Sequence, residues 1–90
     1  MCFEWDDGKA RSNVDKHGVD FADAAVALED EHALTIEDLD EHEEQRFVSL
    51  CMDPQARVLV VVFCWRGESL RIISARAATR REIARYEGEA

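Results

Sequence analysis

The longest uninterrupted apolar stretch of the chain runs from Val58 to Trp65. A short run without a polar stripe is the pattern of a strand covered on both faces, at the centre of a sheet. Arg46 to Met52 before it and Ser69 to Ala75 after it also read as strands, and Asp53 to Gln55 and Arg66-Gly67-Glu68 read as the turns between them. Together they predict a three-stranded antiparallel meander. Upstream the period changes. Asp6 or Asp7 can cap a helix over Gly8 to His17, which Gly18 ends at its C-cap. Asp20 caps a second helix from Phe21 to about Leu28, with Asp23 in its first turn and Phe21, Ala24, Ala25 and Leu28 at helical spacing. Thr79 and Glu82 have the spacing of a capping box, opening a last helix that ends near Tyr86. Phe3 to Trp5 reads as a short first strand and His32 to Ile36 as a weak one. Glu37 to Glu44 is too charged to bury and reads as an exposed loop. The predicted order is β-α-α-β-β-β-β-α.

Composition narrows this picture. Ninety residues suit one domain with one core and no linker. Three cysteines, Cys2, Cys51 and Cys64, form no CxxC pair, and the last two sit in apolar runs, so no disulfide framework is expected. The N-terminus lacks the basic and apolar regions of a leader, and Val58 to Trp65 is too short to span a bilayer. A cytoplasmic protein with no membrane partner is expected. The net charge of −9 conceals a division. Residues 1–45 carry three cations against fifteen acids, whereas residues 46–90 carry eight arginines against five acids. Such clustering of arginine suits phosphate binding, while the overall acidity opposes loose, nonspecific attachment to nucleic acid.

Three segments occur in an order that carries further meaning: Phe3-Glu4-Trp5-Asp6 with Lys9; Asn13-Val14-Asp15-Lys16-His17-Gly18-Val19-Asp20-Phe21 with Ala24; and Arg71 through Glu82 with Tyr86. With Glu44-x-Arg46 and Leu59-Val60-Val61-Val62, they give a chain that resembles the BrnT family of toxin-antitoxin ribonucleases. The resemblance implies an α+β, RelE-like domain over residues 1–90. In it an antiparallel sheet of about four strands packs with an N-terminal helix pair and a C-terminal helix. It also implies a metal-independent endoribonuclease that inhibits translation and growth and uses no cofactor. The implied partner is a cognate ribbon-helix-helix antitoxin (BrnA-like) in a hetero-oligomer, with RNA as substrate and operator DNA contacted only through the antitoxin. The sequence departs from the family pattern at Gly8, at Asp53-Pro54-Gln55-Ala56, at Cys64-Trp65 and in its acidity. The alternative is a catalytically inactive interaction module that binds the antitoxin and acts as a corepressor. The acidic half fits either, as a surface for a basic partner segment or as a shield against stray RNA.

Metal-independent RNA cleavage needs a base for the 2′-hydroxyl, an acid for the leaving 5′-oxygen and cations for the charge developing on the phosphate. His17 is the candidate acid or base, because a histidine titrates near neutrality and a helix C-terminus favours a cation. The competing role is a histidine that merely caps the helix. Lys16 and Lys9 are candidate RNA phosphate ligands. Arg46, Arg71 and Arg76, on or beside strands, are the other candidate catalytic residues, since a guanidinium grips phosphate oxygens bidentately. Their competing role is in salt bridges, for example with Glu44 or Glu68. Strict alternation puts Leu70, Ile72, Ser74 and Arg76 on one face and Arg71, Ile73 and Ala75 on the other, so both arginines need not serve one site. Arg80, Arg81 and Arg85 read as solvent-facing or antitoxin-facing. His32 and His42 lie among acids without metal-site spacing, and no metal is expected. Trp5 and Trp65 read as core residues ahead of base-stacking ones.

Overall fold

The computed structural model describes residues 1–40 and 44–88. Its elements are β1 (Cys2–Glu4), α1 (Asp7–His17), α2 (Phe21–Ala27), β2 (Leu34–Asp38), β3 (Arg46–Met52), β4 (Val58–Arg66), β5 (Ser69–Ala77) and α3 (Arg80–Tyr86), in the expected order. The helix boundaries follow the predicted local chemistry. Asp6 accepts the Lys9 N–H and Asp20 accepts the Ala22 N–H, each satisfying a donor the helix leaves free. Gly18, at φ 68°, donates to the Val14 carbonyl, and Thr79 and Glu82 complete the capping box. The expected acidic loop is shorter at its start, because Glu37 and Asp38 continue β2. The remainder falls partly outside the described residues, as does His42.

One five-stranded sheet has the order β1-β5-β4-β3-β2. The pairings from β2 to β5 are antiparallel, but β1 runs parallel to β5, with Cys2 opposite Ser69 and Glu4 opposite Arg71. The expected antiparallel sheet of about four strands is therefore corrected to a mixed sheet of five. No hairpin constrains the direction of β1, since most of the chain separates it from β5. The helix pair instead carries the chain from the β1 edge to the β2 edge across one face.

That face holds the core. Val19 and Phe21, Ala24, Ala25 and Ala27 of α2 pack with Cys51, Leu59, Val61, Phe63, Leu70, Ile72 and Ala75 of the sheet. Phe21 is fully buried, and enclosing such a side chain contributes about 1.5–3 kcal/mol. Trp5 meets Phe21 edge-on with ring centroids 6.1 Å apart and joins this core. Trp65 does not join it. The ring stays 47% exposed and touches Phe63 edge-on.

A bulge in β5 decides which side chains share a face. Val62 stands opposite Ser74 but Phe63 opposite Ile72, so Ile73 is an inserted residue. With a side-chain period of two, one insertion exchanges the faces of everything after it. Ile72 and Ala75 both face the helices as a result, and Arg71, Ser74 and Arg76 share the opposite face. The strict alternation expected from sequence, which separated the two arginines, is thereby corrected. Leu34, Ile36, Val48, Leu50, Val60 and Val62 lie on this second face too, partly covered by α3.

Candidate active site

β1 pairs with β5 only as far as Arg71, and α1 closes the rest of that edge. Asn13, 6% exposed at the middle of α1, is the closing piece. Its Nδ2 donates to the Ala75 carbonyl at 2.7 Å and the Val19 carbonyl at 2.9 Å, and its Oδ1 accepts the Ala75 N–H at 3.1 Å. The carboxamide replaces the peptide group that a sixth strand would have supplied there. Around it, Lys9, Ser12, Lys16 and His17 follow one another along one side of the helix over about two turns and, with Ile73 and Ser74 of the bulge, line a shallow pocket of about 170 Å³. Gly18, not His17, makes the helix cap. The His17 ring is exposed and hydrogen-bonds to no described residue.

Ser74 belongs both to this pocket and to the face carrying Arg71 and Arg76. Arg76 follows it by two residues, roughly 7 Å along a strand. Neither arginine lines the pocket; they stand three residues before and two after Ser74 on β5, and each already holds a carboxylate. Arg71 reaches Glu4 at 3.1 Å. Arg76 grips Glu82 bidentately, at 2.8 and 3.0 Å, while Glu82 also accepts the Thr79 N–H of the capping box. The hydrogen bonds from Arg76, outweighing the effect of burial, hold the Glu82 carboxyl at about 2, and Glu82 in turn raises Arg76. The expected partners Glu44 and Glu68 take neither arginine. Glu44 instead faces Arg66 at 3.8 Å.

Arg46 stands apart from the pocket, on β3 with Asp38 opposite it on β2. Its Nε is buried without a hydrogen-bond partner. Arg80, Arg81 and Arg85 are exposed on α3. Arg57 has a structural position that its sequence context does not announce. Its Nε meets buried Asp53 at 2.8 Å, and its other nitrogens reach the Gly18 carbonyl and Asp23, linking the β3–β4 turn to the α1–α2 junction. In that turn Ala56 adopts φ 64°, where the glycine usual for such a turn would be unstrained. Burial pushes the Cys51 thiol up to about 11 and raises Cys64 as well, the opposite of what activates a thiolate nucleophile. Among the described residues no group of three His, Cys, Asp or Glu could hold a metal ion, and no helix is long and apolar enough to cross a membrane.

The profile of a family described as the ribonuclease toxin, BrnT, of type II toxin-antitoxin systems matches residues 5–82. The chain belongs to the BrnT family. The 1.1 Å crystal structure of the Brucella abortus ribonuclease toxin, BrnT, is similar to it, with 29% sequence identity, 89% of this chain and 99% of that chain covered, and a TM-score of 0.69. No curated protein matches. The BrnT match takes in the α1 pocket and all of β5, and membership of a type II toxin-antitoxin family implies an antitoxin as partner. Within this BrnT fold, Lys9, Lys16 and His17 come together in one pocket, Arg71 and Arg76 lie on the same strand as its Ser74 without lining it, and Arg46 does not join them. Ser12, Asn13, Ile73 and Ser74 are the pocket residues that sequence reasoning missed. For Asn13 a signal existed, since an asparagine inside a helix invites the question of where its amide bonds go.

Proposed function

We propose that this BrnT-family chain acts as a single domain in the cytoplasm, cleaving RNA without a metal ion and so stopping translation and growth. A ribbon-helix-helix antitoxin neutralises it in a hetero-oligomer and alone contacts operator DNA. The same reading groups the fold with RelE ribonucleases. The observation that carries it is the gathering of Lys9, Lys16 and His17 around Ser74, on the strand whose bulge turns Arg71 and Arg76 to one face. His17 moves the proton, as base towards the 2′-hydroxyl or as acid towards the leaving oxygen. Lys9 and Lys16 hold flanking phosphates. Arg71 and Arg76 exchange their carboxylates for the scissile phosphate and stabilise its developing charge. Arg46, across β4 and about 10 Å from β5, is an outer phosphate contact.

A second reading, the inactive module that serves as a corepressor, is favoured by one observation: Glu4 and Glu82 already occupy Arg71 and Arg76. Tightly controlled expression of the wild type beside His17→Ala and Arg71→Ala, at matched levels of folded protein, separates the two. Growth arrest by the wild type alone, with RNA cleavage by the purified chain that persists in a chelator, is the expected result. A soluble, folded and harmless wild type sinks the catalytic reading in favour of the module.

A further inference from the structure

At the β2 edge of the sheet no described side chain bonds both backbone groups of one residue as Asn13 does at Ala75. Among the described residues no strand pairs with the outer side of Leu34–Glu37, since β2 ends the sheet order. Natural edge strands are commonly protected by charged side chains, proline or a bulge; β2 has no proline or bulge, and its charges, Glu37 and Asp38, fall only at its end. Leu34 and Ile36 are 45% and 63% exposed on its second face, and Leu39 just beyond is 86% exposed. Leu34 and Ile36 open onto an apolar groove of about 130 Å³ formed with Val48, Leu50 and Val60 under Glu82 and Arg85 of α3. The register lines up Leu34, Leu50, Val60 and Arg76 across four adjacent strands. The groove therefore leads from the open edge towards an arginine of the candidate active site, about 15 Å away.

Charge selects the occupant. Between Lys16 and Arg46 the chain has no lysine or arginine, and Glu29, Glu31, Glu37 and Asp40 are exposed around β2. A second copy of this chain would bring an equally anionic edge and be repelled. The geometry points to a basic, extended segment of the antitoxin as the occupant, adding to β2 as a sixth strand. Such a segment has apolar residues at alternate positions, packing beside Leu34 and Ile36 into the groove. Lysines or arginines at the intervening positions face Glu37, and backbone hydrogen bonds to the open edge provide the rest of the contact. Anchored there, the antitoxin extends over the second face to Arg76. This inference rests on the toxin-antitoxin reading for its partner, but not on catalysis.

Amide hydrogen exchange of the free chain and of its purified complex with the cognate antitoxin tests it. The expected result is exchange at least tenfold slower across residues 34–38 in the complex. The double variant Leu34→Lys/Ile36→Lys and the single variant Glu37→Lys should each weaken antitoxin binding at least tenfold. The free variants should keep the wild-type unfolding midpoint. Protection confined to the α1 pocket, undiminished binding by folded Glu37→Lys, or protection of β2 in the free chain at high concentration, which marks a second copy there, overturns the proposal. A harmless chain whose β2 is protected by antitoxin keeps this docking site while the ribonuclease reading fails. A toxic chain whose antitoxin ignores β2 does the reverse.

Discussion

The two edges of the sheet meet the same problem in opposite ways. At β5 the unpaired backbone is sealed from within the chain, because the Asn13 carboxamide bonds both polar groups of Ala75 and fixes α1 beside the bulge. At β2, among the described residues, no strand pairs with the edge, which is apolar on one face and surrounded by acids. Sealing one edge places a basic helix stripe beside Ser74, the candidate site; the other retains a surface that a partner strand could complete. Water can satisfy an exposed strand edge, and its unpaired backbone is a template for whatever chain arrives to pair with it. In a BrnT-family chain with an antitoxin partner, the asymmetry sets the candidate site at one edge and the proposed docking strand at the other.

Breaking the sealed edge should have the largest effect. Asn13→Ala removes three hydrogen bonds and leaves the Ala75 N–H and the carbonyls of Ala75 and Val19 short of partners. A loss of about 3 kcal/mol in urea unfolding is expected. A loss below 1 kcal/mol would mean that water or a shifted α1 seals the edge equally well.

The open side can be sharpened through α3, which Tyr86 fastens by donating its hydroxyl to Asp30 at the junction before β2. That hydrogen bond, with burial and the Asp30 charge adding to it, pushes Tyr86 up to about 12. Tyr86 is the sole tyrosine, so an ultraviolet titration reports it alone. Its midpoint should fall towards the ordinary value near 10 in Asp30→Asn, and Tyr86→Phe should cost about 1.5 kcal/mol. An unchanged midpoint would detach α3 from this contact.

The smallest effect is acid sensitivity. Arg76 holds Glu82 at about 2, and Asp30 is also lowered, since bonds from Tyr86 and the His32 and Met52 N–H groups outweigh burial. Folded-state values below the unfolded ones mean stabilisation that is complete above about pH 5 and lost as the pH falls towards 2. With solvent screening, the Arg76–Glu82 contribution should be about 1 kcal/mol, absent in Glu82→Gln. Equal acid sensitivity of wild type and Glu82→Gln would assign the loss to other carboxylates.

What was legible in the sequence is what neighbouring residues settle among themselves. Asp6, Asp20, Gly18 and the Thr79–Glu82 pair mark helix ends because a cap satisfies backbone groups only a few residues away. The apolar run of β4 reads as a central strand because burial on both faces leaves no polar position. The Lys9, Lys16 and His17 stripe follows from helical spacing alone. These local rules determined the order of elements and half of the candidate site. Tertiary structure alone decided the rest: the parallel pairing of β1 with β5, the bulge at Ile73 that brings Arg71 and Arg76 to one face, the carboxylates that occupy them, and the use of Asn13 as a strand substitute. The physical reason is distance along the chain. Glu4 meets Arg71 and Asn13 meets Ala75 only after the sheet has assembled, and a one-residue insertion that reverses every later side chain is set by packing against α1 and β4, which no local pattern records.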